Sequence, residues 1–227
     1  YVTSDWGKLY INGEYRGLYL LTDRIQAFKS FSADDSFLVM KETESRLSYQ
    51  PHFLLDDGTA FVIRPDSKKS PSMENIKSYI QSIDDMISGG NIDYDKIDSE
   101  SFAIQFLLDQ ISCNSDANNT SQYFYKPSSE NKLYAGPCWD YDLSYGEPLE
   151  YGAQDPFQDF TNYHAECLDW FSILARDGIF KVEIAQILSE KAFTFSPGEY
   201  IGIHARLFRG IYRLGGKIRD YNISKKE

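Results

Sequence analysis

Two β-rich runs open the chain, Gly7 to Ile11 and Arg16 to Leu21, separated by Asn12-Gly13-Glu14-Tyr15. Asn and Gly both tolerate positive φ, so this pattern predicts a tight hairpin. Further strands are predicted at Ser36 to Lys41 and at Thr59 to Arg64, the second started by Asp57-Gly58 and stopped by Pro65. Residues 43–58 read as a loop. After Pro65 the period changes from two to between three and four: Met73, Ile76, Tyr79, Ile80, Ile83, Met86 and Ile87 share one stripe. That spacing predicts an amphipathic helix over 71–88, ended by Gly89-Gly90. A second helix, Ser99 to Ser112, carries Phe102, Ile104, Phe106, Leu107, Leu108 and Ile111 almost all round, as a buried central helix does.

A polar stretch, Cys113 to Thr120, follows. Strands are predicted at Gln122 to Lys126 and Lys132 to Ala135, with the turn Ser128-Ser129-Glu130-Asn131 between them. Next stands Gly136-Pro137-Cys138-Trp139-Asp140-Tyr141-Asp142, and three helices are predicted at about 163–175, 178–193 and 197–221. The order predicts an α+β protein: a β-rich N-lobe with one helix (about 1–90), a mostly helical C-lobe (about 91–227), and a cleft between. The chain starts at Tyr1 with a strand almost at once, as an N-terminally truncated fragment would.

Composition narrows the partners more than the fold. The 227 residues suit one domain, and 34 acidic against 23 basic residues give a net charge of −11. That sign disfavours nucleic acid and anionic membrane surfaces, but suits a divalent cation held by carboxylates. No apolar run approaches the ~20 residues of a membrane span. Cys113, Cys138 and Cys167 form no paired motif and read as isolated thiols.

Three carboxylates are candidates for chemistry. Asp116 lies in the polar stretch after the buried helix, and Asp140 and Asp142 follow the predicted strand pair. A hairpin returns the chain toward its start, which would bring all three to one end, and an extended backbone would send Asp140 and Asp142 to one face. Clustered carboxylates call for a divalent metal. The residue types alone also allow Asp caps and turns, or a carboxylate-pair hydrolase acting on glycosides.

Four segments resemble the CotH (spore coat protein H) kinase family. Asn12 to Leu21 is similar to its NGEYxGLYLL hairpin, and Leu107 to Asp116 to its buried helix and N-x-D loop. Tyr123-Phe124-Tyr125-Lys126 resembles its YxYK strand, and Ala135 to Asp142 its GPxWDYD motif. The resemblance implies an atypical protein-kinase-like, two-lobed fold. It implies transfer of the ATP γ-phosphate to a protein Ser/Thr hydroxyl with Mg²⁺ or Mn²⁺. Asp116 would be the catalytic aspartate, Asp140 with Asp142 the metal ligands, and Gly13 and Gly17 part of the hairpin over the phosphates. An exported or cell-surface location is also implied, or the spore coat in a sporulating source.

Two positions depart from the family pattern. Five residues after Asp116, where kinases place a metal-binding Asn, stands Ser121, and where a strand lysine would grip the phosphates stands Arg64. Arg and Lys are not interchangeable at such a site. Lys41 is the rival phosphate ligand, and Glu74 in the following helix is the candidate for the partner ion pair, although a first-turn Glu is favourable at any helix N-terminus. Ser121 and Arg64 give weight to the alternative of a catalytically inactive kinase-like binding module in a surface or coat assembly.

Overall fold

A computed structural model describes residues 4–22, 35–47, 50–64, 71–112, 114, 120–127, 130–142, 144 and 170–190. The first hairpin is formed by β1 (Ser4–Ile11) and β2 (Glu14–Thr22). Its turn has Asn12 at φ 52° and Gly13 at φ 83°, the conformation the Asn-Gly pair predicts. Opposite Leu9 and Tyr10 the register shifts, so that Arg16 is an extra residue, and Gly17 beside it takes φ 120°. Such a bulge needs the freedom that glycine has.

The remaining strands form one antiparallel sheet in the order β4-β5-β3-β6-β7. These are β3 (Phe37–Glu42), β4 (His52–Leu54), β5 (Ala60–Ile63), β6 (Gln122–Lys126) and β7 (Tyr134–Ala135). Beside it lie α1 (Met73–Ser88), α2 (Ser99–Ser112), α3 (Trp170–Leu174) and α4 (Gly178–Glu190). The class is therefore α+β, as the hydrophobic pattern predicts. Two features differ from expectation. The first hairpin makes a sheet of its own, and β6 from the second half of the chain pairs with β3 from the first. The strand assigned to a C-terminal lobe is thus continuous with the N-terminal strands. The predicted loop over 43–58 contains a 3-10 turn at Glu44–Arg46 and the short strand β4, whose single buried residue, Phe53, is too little for an alternation to be read. The helix expected at 197–221 lies outside the described residues.

Alternation gives the five-stranded sheet two distinct faces. Phe37, Val39, Phe61, Ile63 and Phe124 point to the helices and meet Ile76, Ile80, Ile83 and Ile87 of α1 and Phe102 and Phe106 of α2. The rings of Phe124 and Trp170 lie 5.0 Å apart edge-on, and those of Phe102 and Phe124 5.7 Å. Leu38, Met40 and Tyr123 form a separate cluster on the other face. Helix α1 starts where Ser72 Oγ accepts from the Asn75 N–H, and α2 where Asp98 accepts from the Ser101 N–H at 2.8 Å.

Candidate active site

Lys41 and Arg64 fall on opposite faces of the sheet. In register, Lys41 pairs with Phe61 and Gln122, whose side chains point toward the helices. Its charge reaches Asp84 of α1, which also accepts from Trp170 Nε1 at 2.8 Å. Burial raises the Asp84 pKa, opposed by the Trp170 hydrogen bond and by Lys41. Glu74 is exposed in the first turn of α1, and Asp84, further along this helix, is an acidic residue whose carboxyl feels the Lys41 charge.

Arg64 continues β5 and donates its backbone N–H to Leu38 O at 2.8 Å. Two-residue alternation puts it with Ala60 and Val62 on the face away from the helices. There the charges of Arg64, Asp140 and Glu42 all act on the Tyr123 hydroxyl, whose pKa burial raises. The buried Nε of Arg64 has no hydrogen-bond partner among the described residues. A guanidinium N–H in that condition is a site for an anionic oxygen.

Ser121 and Asp140 meet. Ser121 Oγ donates to Asp140 Oδ2 at 2.9 Å across nineteen residues of chain. Both have left-handed backbones, with φ 58° and 62°, which costs a non-glycine residue energy and persists only where neighbours fix it. The neighbours do so here. Before Ser121, Thr120 Oγ1 donates to the buried Glu42 at 2.5 Å, and Glu42 also accepts from the Thr43 N–H at 2.9 Å. After Ser121, Gln122 Nε2 reaches Asp109 Oδ2 at 3.5 Å. Beyond Asp140, Tyr141 OH donates to Asp109 Oδ1 at 2.7 Å. A cis peptide bond joins Gly136 to Pro137 just before this loop.

The positive φ of Asp140 corrects one expectation. Asp140 and Asp142 do not share a face through an extended backbone, because the chain turns at Asp140; Asp142 is exposed in that turn. Asp116 lies outside the described residues. Gly13 and Gly17 sit in the separate hairpin, and no strand pairing joins them to the sheet that carries Arg64. Among the described residues no three His, Cys, Asp or Glu side chains cluster as a ready-made metal cage.

Sequence reasoning missed the polar layer beneath these residues. Asp109, 4% exposed, accepts from Gln105 Nε2 at 3.1 and 3.0 Å besides Tyr141 and Gln122, and Asn114 hydrogen-bonds to it as well. Although Cys138 is exposed as a residue, its Sγ donates to Gln105 Oε1 at 3.4 Å. Gln105 and Asp109 stand four apart, on one face of a helix whose middle is mostly apolar, and that was the available signal. Lys126 of the YxYK strand is structural: it is buried and donates to the carboxylate of Asp35 at 3.2 Å and to its carbonyl at 3.3 Å.

A family model described as CotH kinase protein matches residues 4–203. The chain belongs to this family. No individual curated protein matches it. The CotH match runs from β1 through the Ser121–Asp140 pair and past α4, so the described site lies within the family's own extent. Membership makes a kinase-like function the frame for the geometry. No helix among the described residues is long and apolar enough to cross a membrane.

Proposed function

We propose that this CotH domain is an atypical protein kinase that transfers the γ-phosphate of ATP to a protein Ser or Thr hydroxyl with a divalent metal. The observation that carries the reading is the Ser121–Asp140 contact, which joins the ends of two separate loops beside the sheet face carrying Arg64. The donor set fits the cation. Mg²⁺ and Mn²⁺ at nucleotide sites take one or two carboxylates, with phosphate oxygens and waters completing the shell, so no three-carboxylate cage is needed. Asp140, Ser121 and Asp142 would hold the ion, which supplies charge neutralisation on the phosphates.

The Nε–H of Arg64, without a partner among the described residues, supports a role in holding a phosphate oxygen, which its planar fork would do in place of a strand lysine. Asp116 would orient the acceptor hydroxyl and take its proton. Lys41, whose charge meets Asp84, remains the rival phosphate ligand. Gly13 and Gly17 would cover the phosphates if the first hairpin closes over the site, as a two-lobed kinase-like arrangement requires. Arg64 and Asp140 act through positioning and fixed charge, which is most of what a phosphoryl transfer asks of a protein.

One observation favours the inactive binding module: the Ser121 hydroxyl takes up an oxygen of the carboxylate that would hold metal. Calorimetry of ATP binding with and without Mn²⁺ separates the readings, using the wild type, Asp140→Ala, Arg64→Ala and Lys41→Ala, followed by phosphate transfer with Asp116→Asn as control. The kinase reading expects metal-dependent binding that Asp140→Ala abolishes and Arg64→Ala weakens more than Lys41→Ala. Wild-type binding without transfer selects the binding module, and no binding under any metal removes the kinase assignment.

A further inference from the structure

We infer that Asp109 is the positioning residue of this site, a single buried carboxylate that fixes the three chain segments on which phosphoryl transfer would depend. The inference rests on the kinase reading above for its consequence, but not for its geometry. Among the described residues, each hydrogen-bond partner of Asp109 outside its own helix belongs to a segment carrying a candidate site residue. Asn114, itself buried, bonds to it through the side chain and through its N–H to Asp109 O at 3.2 Å, and stands two residues from Asp116 in sequence. Gln122 follows Ser121, and Tyr141 follows Asp140.

The network is directional as well as connected. A carboxylate only accepts, and here every partner donates. Gln105 offers both protons of its amide in this cluster: Nε2 reaches both Asp109 oxygens and also Tyr141 OH at 2.9 Å, while Oε1 is left to take the Cys138 thiol. Tyr141 accepts from Gln105 and donates to Asp109, so its ring has one orientation that satisfies both. Burial raises the Asp109 pKa, and its hydrogen bonds from Tyr141, Gln105, Asn114 and Gln122 pull the other way. An Asn at 109 keeps the shape but turns an NH₂ toward amide donors, which then lack an acceptor. A carboxylate needed only to cap α2 would not require donors from the β6 segment and from the loop after β7.

Reaction geometry is sensitive to such anchoring, since a displacement of about 1 Å can cost on the order of 100-fold in rate. The test is hydrogen–deuterium exchange on the full chain for wild type, Asp109→Asn, Asp109→Leu and Tyr141→Phe, paired with steady-state ATP turnover in Mn²⁺. In Asp109→Asn, peptides containing Asn114, Ser121–Gln122 and Asp140–Tyr141 should exchange about tenfold faster together, the loss of a charged hydrogen bond, while β3 and β5 peptides stay within about twofold. Turnover should show kcat lowered by about tenfold or more and the Mn²⁺ requirement raised with it, because Ser121 and Asp140 are the residues that would hold the ion on the nucleotide. If Asp109→Leu does not fold, Asp109→Asn and Tyr141→Phe decide. Faster exchange confined to α2, or spread evenly over the sheet, overturns the positioning role. A wild type without ATP turnover removes the kinase reading instead, and the exchange pattern alone then decides whether Asp109 organises the three segments.

Discussion

Ser121 allows the backbone and the side chain of the site to be weighed separately. Its φ of 58° carries a steric cost of about 1–2 kcal/mol that glycine does not have. Its hydroxyl contributes the exposed bond to Asp140, about 0.5–1.5 kcal/mol. Ser121→Ala removes the bond and keeps the strain, so it should lower stability by about 1 kcal/mol, or about 2–4 °C in Tm for a chain of this size. Ser121→Gly loses the same bond but also the strain, and pays back about 0.5–1 kcal/mol through the freer unfolded chain, so it should lie near wild type. Ser121→Asn should hold its stability too, because Asn enters the left-handed region far more readily than most residues. Its amide carbonyl is also a better neutral metal ligand than a hydroxyl, so Mn²⁺-dependent ATP affinity should rise in Ser121→Asn and fall in Ser121→Ala. Thermal unfolding by circular dichroism, with calorimetry beside it, reads both quantities. A Ser121→Ala variant as stable as Ser121→Gly would refute the reasoning, since position 121 would then not be held left-handed. A Ser121→Asn variant with unaltered metal dependence would detach the residue from the metal site.

Two further outcomes test the scaffold. Phe124, 1% exposed between Phe61, Phe102, Trp170 and Phe171, belongs to the strand that carries Gln122 and Tyr123; Phe124→Ala should cost about 3–5 kcal/mol in urea unfolding, and a loss under about 1 kcal/mol would show that the sheet and helices do not pack as one core. Asp177 caps α4 by accepting from Ile179 and Phe180 N–H at 2.9 and 3.0 Å and from Tyr94 OH at 2.6 Å; burial opposes its ionisation, yet the Tyr94 and backbone hydrogen bonds hold its carboxyl below the usual range. A depressed pKa stabilises above the unfolded value, about 4, and the gain fades as pH falls through the folded value. Asp177→Ala should therefore cost about 1–2 kcal/mol at pH 7 and converge on wild type in acid; a gap independent of pH would remove the carboxylate's charge from the account.

The elements were legible where side-chain periodicity reports the environment directly. The stripe from Ile76 to Ile87 marks α1, and the apolar run within Ser99–Ser112 marks α2, which buries Phe102, Phe106 and Leu107 but leaves Leu108 exposed. The Asn-Gly turn and the strand Gln122–Lys126 were equally plain. What periodicity does not carry is partnership between strands. Nothing local in Tyr123-Phe124-Tyr125 says that it lies against β3, so a sheet built from both halves of the chain is not legible from periodicity. The same limit hid Glu42 and Thr120, which meet only because β3 and β6 are neighbours. The backbone reversal at Asp140 was also hidden, because it depends on anchors distant in sequence, and Asp in the left-handed region carries no mark of its own.

The opposed placement of Lys41 and Arg64 bears on how a kinase-like site is assembled in this CotH domain. In a strand, adjacent residues alternate, and paired residues on neighbouring strands share a face. Lys41 is therefore committed to the helical side by the same pairing that buries Phe61 beside it, and moving it across would require a register slip that turns Val39 and Phe37 out of the core. Burial of those side chains makes the slip costly, so the choice of face for both cations is decided by packing, not by local side-chain mobility. The cation that the sheet delivers to the side of Asp140 and Tyr123 is Arg64. An arginine there brings a planar fork suited to phosphate oxygens. The departure from lysine at this position is thus compatible with phosphate binding, whereas the departure at Ser121 changes the oxygen offered beside Asp140. Of the two substitutions, Ser121 is the one whose chemistry separates a catalyst from a binding module.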